Sequence, residues 1–213
     1  MKKLIVLSAA LLLAACGSDN ELSKSKVEKA LKETAKQRAV CVPFNLNIEY
    51  THAGDNPAFT SLGAPEIRIV KRQENGKRAN LAAADQMDIL VNAGLYHQEN
   101  TLKVGEGDEA VRYMVYKITE KGQKVFQSTP TASLTCVGTE KVEKVNFFTA
   151  PTPANGITVT QVSYETKVEP ERWAAKLLKG TPLLEEVKQT RTHHATLVKT
   201  NDGWRDLNEL RNH

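Results

Sequence analysis

Residues 1–15 set the first limit on what this chain folds into, because they read as an address and not as a fold element. Lys2 and Lys3 precede a run from Leu4 to Ala15 made almost wholly of Leu, Ile, Val and Ala, with small residues directly before Cys16. A helix needs about 20 apolar residues to cross a hydrocarbon core, so this run is too short for a comfortable span. A basic start, a short apolar stretch and small residues at its end match a secretory signal instead. The fold is therefore built from the chain beyond Ala15: 213 residues less 15 leaves 198, enough for a real hydrophobic core.

Leu13-Ala14-Ala15-Cys16 resembles the lipobox of bacterial lipoproteins. The resemblance implies that the Cys16 thiol receives a diacylglycerol, that the signal is cut just before it, and that the new amino terminus is acylated, palmitate being the usual kind of chain. Lipid membrane is then the partner at this end, since each buried methylene contributes about 0.8 kcal/mol. Gly17 stands where inner-membrane retention in enteric bacteria places Asp, and Asp19 comes two positions late. The resemblance thus implies the outer membrane, on its periplasmic side. It divides the chain into a signal (1–15), a lipidated terminus and short tether (16–24) and one domain (25–213).

Removing residues 1–15 takes away Lys2 and Lys3 and no acid, so 29 basic residues fall to 27 against 25 acidic, a formal +2 instead of +4. So nearly neutral a chain does not call for a polyanionic partner. With Cys16 assigned to lipid by the resemblance, Cys41 and Cys136 remain, and an oxidising periplasm lets them form the single intrachain disulfide. Closing so long a loop is worth roughly 4–5 kcal/mol in the simple chain-entropy account, and it argues for one domain.

The expected fold class is α+β, with small mixed or antiparallel sheets. Ser25 and Glu28 have capping-box spacing, and Val27, Ala30, Leu31, Thr34 and Ala35 recur at helical intervals, predicting a helix over about 25–39. Lys24, Lys26, Lys29, Lys32, Lys36 and Arg38 form its other face, read as solvated, with anionic lipid or envelope polymer as the alternative contact. Cys41 to Tyr50 alternates like a strand, and 51–65 reads as a loop. Ile67 and Ile69 predict a short extended piece before a turn at Glu74-Asn75-Gly76-Lys77. Further on, Val145 and Phe147 mark one face of a strand that pairs antiparallel with Thr158–Val168. A short helix opened by Pro170-Glu171-Arg172-Trp173 and running through Leu178, a strand at 195–199 and a turn at Asn201-Asp202-Gly203 that returns Trp204 complete the reading.

Between them, Ala83, Met87, Leu90 and Val91 line a helix that Gly94 ends with a left-handed cap. A polar loop, a strand at 111–118 and Thr119, the cap of a short helix, come next. The order helix, Ala93-Gly94-Leu95, loop, strand, Ile118-Thr119-Glu120-Lys121-Gly122 resembles the helix-and-wing half of a winged-helix domain over 82–127. That resemblance implies a basic recognition helix, yet the helix carries Asp85 and Asp88 and no Lys or Arg between Leu81 and Tyr96. Such a surface repels phosphates, so nucleic acid is not expected as a partner. Residues 136–207 also resemble uncharacterised exported proteins of Gram-negative bacteria, through Cys136-Val137-Gly138, Val162-Ser163-Tyr164, Trp173-Ala174 and Asn201-Asp202-Gly203-Trp204. That likeness implies a recurrent exported domain and brings no activity.

The sequence holds no Gly-x-Ser-x-Gly elbow, no His-Glu-x-x-His helix and no Gly-rich phosphate loop, so no catalytic, cofactor or metal residues are assigned. His193 and His194, neighbours on a strand, point to opposite faces and need His52 or His97 from elsewhere to chelate an ion. Glu106-Gly107-Asp108-Glu109 lacks the ligand spacing of an EF-hand and reads as a solvated acidic loop. Trp173, Trp204, Tyr113, Tyr116 and Tyr164 read as core and rim residues. The expectation is a non-catalytic envelope lipoprotein that binds a protein, an envelope polymer or a small apolar ligand, or serves a structural role. The alternative is a periplasmic hydrolase with a nonlocal site.

Overall fold

A computed structural model describes residues 22–107, 110–128 and 133–211. Cys16, the signal and most of the tether fall outside the described residues, as do Asp108 and Glu109 of the acidic loop. Within them the chain is α+β with antiparallel sheets and a Cys41–Cys136 disulfide, as the sequence led one to expect.

Helix α1 (Lys24–Gln37) buries Val27, Ala30, Leu31, Thr34 and Ala35, the stripe its periodicity predicts. Its cap is Ser23, whose hydroxyl accepts from the Lys26 amide at 3.4 Å. The expected Ser25–Glu28 box is thus displaced by a cap two residues earlier. Strand β1 (Ala39–Pro43) comes next, and its edge pairing ends at Pro43. The expected strand to Tyr50 does not form a ladder there. Its alternation survives as burial, with Phe44 and Leu46 inside and Asn45 and Asn47 outside. Side chains replace the missing ladder: the Asn47 amide donates to Gln86 at 2.8 Å, and the Glu49 and Tyr50 amides donate to Asn80 Oδ1 at 2.8 and 2.9 Å.

The smaller sheet is built on β5 (Val111–Ile118). Strand β2 (Glu66–Val70) flanks it on one side; β3 (Tyr96–Gln98) and β4 (Leu102–Val104) share the other. Helix α2 (Leu81–Asn92) buries Ala83, Met87 and Leu90 against it. Gly94, at φ 72°, turns the chain so that the Leu95 amide reaches the Leu90 carbonyl at 2.9 Å, a Schellman closure. Helix α3 (Glu120–Val125) starts on top of that closure. Thr119 Oγ1 donates to the Gly94 carbonyl at 2.7 Å and Lys121 Nζ to the Ala93 carbonyl at 2.8 Å. A Cβ on Gly122 would lie 2.1 Å from the Leu95 carbonyl oxygen, so only glycine permits the approach. The two ends of the winged-helix-like signature are therefore one contact in space.

The larger sheet runs β1–β7–β9–β10–β11, from β7 (Ser133–Phe148), β9 (Ile157–Pro170), β10 (Arg191–Thr200) and β11 (Gly203–Asp206). Strand β6 (Phe126–Ser128) pairs with β7. The connection between β7 and β9 holds β8 (Thr152–Ala154), which folds back on β9 through Asn155 and Gly156, both at positive φ. Val145 and Phe147 do not share a face. The register slips between them, so Val145 opposes Tyr164 and is buried, while Phe147 opposes Ser163 and is 58% exposed.

Helices α4 (Arg172–Leu177) and α5 (Pro182–Lys188) and a terminal turn, α6 (Leu207–Arg211), complete the chain. One core joins Ile67, Ile69 and Tyr116 of the small sheet to Met87 and Leu90 of α2, Trp173 and Leu177 of α4, and Val137 and Val168 of the large sheet. A second packs α1 on Val145, Val162, Tyr164, Leu197 and Trp204. All five aromatic residues singled out from the sequence are buried.

Candidate functional site

The small sheet ends in a row of cations. Val70 faces Tyr113, and one step outward the Lys71 amide donates to the Arg112 carbonyl at 2.8 Å. On the other flank of Arg112, Lys103 is its direct register partner. Lys71, Arg112 and Lys103 thus stand side by side across three strands, where like charges repel. Arg72 adds a fourth; it opposes Arg78 in an isolated bridge and donates to the Gly76 carbonyl at 2.8 Å, which holds the 73–77 turn upright. Among the described residues, none of these cations has an ion-pair partner. Lys71 Nζ reaches only Thr101 Oγ1, at 3.4 Å.

Two clefts meet on this row. One, of about 640 Å³, is lined by Tyr50, His52, Arg72, Glu74, Lys103 and Arg112 among others. The second, of about 330 Å³, is lined by Lys71, Arg72, Thr101, Lys103 and Arg112. The wall that carries Tyr50 and His52 is fixed at both ends. Asn80 holds Tyr50, and Asp55 accepts the His52 amide at 2.8 Å and the Tyr113 hydroxyl at 2.6 Å. Burial, reinforced by that bond to Asp55, pushes the Tyr113 phenol up to about 12, so it stays a donor across the physiological range.

A different constellation lies beneath α1. Arg38 does not join the solvated lysine face: it turns inward, donating to Asp206 Oδ2 at 3.0 Å and to the Tyr164 hydroxyl at 2.9 Å. Asp206 is fully buried and also accepts the Asn208 amide at 2.9 Å. Glu140, 8% exposed, lies 3.9 Å from Arg38 and 3.3 Å from His193 Nε2. The His193 ring stacks on Tyr164, its direct partner across β9 and β10. Burial raises the Tyr164 phenol above its ordinary value, and the Arg38 cation only partly offsets this. None of these five residues lines either cleft on the cationic row.

The histidines separate as their strand alternation requires: His193 faces this network while His194 is exposed. His97 pairs with Glu99 at 2.9 Å, and His52 belongs to the cleft wall. Among the described residues no three His, Cys, Asp or Glu side chains gather as a metal-ligating set. Sequence reading missed the cationic row because its members are far apart in the chain and become neighbours only through strand register. The signal that could have found it is the placement of Lys71 just after one apolar strand and Arg112 just inside the next. Comparison with protein-family models, curated proteins and solved structures finds no match for this chain.

Proposed function

We propose that this chain is a bacterial lipoprotein, anchored in the outer membrane through acylated Cys16, whose folded domain faces the periplasm and binds a ligand without transforming it. The observation that supports the binding reading is the cleft of about 640 Å³ at the end of the small sheet. Its Tyr50–His52 wall is held by Asn80 and Asp55, with Tyr50 packed against the small apolar cluster of Val70, Tyr113 and Val115. Small ligands bind in concave clefts where a few polar groups converge. Anchoring rests on the signal-like leader and the lipobox-like segment, and the disulfide suits an oxidising compartment.

Two measurements test this reading. Radiolabelled fatty acid is expected on the wild-type protein and not on Cys16→Ser; label retained by that variant defeats the anchor. A photo-crosslinker placed at His52 is expected to capture a ligand in intact cells, and one placed at Lys167, an exposed residue of β9, is not. Equal capture from both positions removes the cleft as the binding surface.

The hydrolase alternative draws on His193 beside Glu140, a histidine against a carboxylate. The neighbouring hydroxyl, Tyr164, is already engaged by Arg38 and stacked under the imidazole. A catalytic group must reach substrate, and these atoms are packed between α1 and the sheet. The binding reading is therefore preferred.

A further inference from the structure

We infer that the cationic row is a site for a phosphate-bearing ligand, its dianionic phosphoryl group seated on Lys71, Arg112 and Lys103 with Arg72 beside them. The inference rests on the binding reading above and names the ligand class of that same cleft. Four facts carry it. The row is concave, where two clefts meet. Register alone forces Lys103 against Arg112 and Lys71 beside it, an arrangement that costs stability unless an anion occupies it. Some basic side chains elsewhere on the surface do find carboxylates: Lys117 pairs with Glu99, Lys141 with Glu169, and Arg205 with Glu33 and Glu209. Those of the row do not, among the described residues.

The chemistry favours phosphate over a carboxylate. A single carboxylate leaves most of the charge on the row uncompensated. A phosphoryl dianion offers several acceptor oxygens to the planar fork of Arg112 and to two lysine point charges. Thr101, lining the smaller cleft, adds a hydroxyl, and Tyr50 and His52 give rings at the mouth against which the rest of the ligand can lie. Glu74 lines the same cleft and carries the opposing charge.

The test titrates pyrophosphate into the purified full chain, kept soluble in a nonionic detergent, by calorimetry. Saturable binding is expected, weakened at least tenfold by Arg112→Gln or Lys103→Gln and unchanged by Lys167→Gln. The melting temperatures of the two row variants are expected to equal or exceed wild type, since each relieves repulsion; this separates loss of the site from loss of the fold. Displacement by glycerol 3-phosphate points to a lipid headgroup as the source, and displacement by a sugar phosphate to a glycan. Absence of saturable binding, or binding by Arg112→Gln within twofold of wild type, overturns the site. So does binding that emerges only when Asp108→Asn and Glu109→Gln are combined, because the cations then serve the acidic loop. Crosslinking from His52 together with a failure of phosphate to bind removes the ligand class and leaves the binding reading standing.

Discussion

The side-chain amide of Asn80 pairs with the backbone of Tyr50 as a neighbouring strand would. Its Oδ1 accepts from the Tyr50 amide at 2.9 Å, and its Nδ2 donates to the Tyr50 carbonyl at 2.8 Å. The same two atoms also take the Glu49 amide at 2.8 Å and reach the Val70 carbonyl at 3.0 Å. One buried residue, itself at φ 54°, thus fastens the unpaired 44–50 segment to the end of β2 and sets the cleft wall.

Asn80→Ala removes all four bonds and places a Cβ in the left-handed region without a compensating side chain. A loss of about 2–4 kcal/mol is expected from urea unfolding. Asn80→Gly, which keeps the backbone geometry, is expected to be milder by about 1 kcal/mol. In both, amide exchange at Glu49 and Tyr50 quickens; unchanged exchange at those amides contradicts the assignment.

Arg38 is the cation for the fully buried Asp206. Arg38→Gln strands that carboxylate, and about 3–5 kcal/mol of stability is expected to go with it. Asp206→Asn combined with Arg38→Gln leaves no uncompensated charge and recovers part of the loss. A double variant no better than Arg38→Gln alone argues against an ion pair as the cause.

Alkali is expected to unfold the domain over a defined window. Burial pushes the phenols of Tyr96, Tyr113 and Tyr116 up to about 12 from an ordinary 10.0, with Asp55 adding to the effect at Tyr113 and Asp88 at Tyr116. Each group held protonated by the fold contributes stability that is whole below pH 10.0 and is lost as pH rises towards about 12. Tyrosinate absorbance should therefore rise late and together with loss of near-ultraviolet dichroism. All five tyrosines titrating near their ordinary value in the still-folded protein would falsify this.

The Cys41–Cys136 disulfide ties β1 to β7 across a sequence separation of 95, directly before the segment that leads to the cleft wall. Replacing both cysteines by serine is expected to cost about 2–5 kcal/mol, measured as a lower urea midpoint. The nonreduced wild-type protein should show neither thiol free. An unchanged midpoint would mean that strand pairing alone closes this loop.

The sequence reached most of the elements because periodicity is local. Val27 to Ala35 names the buried face of α1, Gly94 the end of α2, and Asn201-Asp202-Gly203 the last hairpin, each within a few residues of chain. Apart from the α1 cap, which moved two residues to Ser23, what it misplaced was moved by a distant partner. Phe147 lost its face to a slip against β9, and Tyr50 lost its strand to the amide of Asn80. Arg38, counted on a solvated helix face, was drawn in by an aspartate near the other end of the chain.

What the sequence by itself determined is the apolar run before Cys16, the α+β character and the faces of helices that patterning alone can set. What only the tertiary structure decided is where charge accumulates. Lys71, Lys103 and Arg112 are scattered among near-neutral surroundings until antiparallel register aligns them. Hydrophobic periodicity is written along the chain, whereas electrostatic complementarity depends on distances that exist only between strands once they are paired.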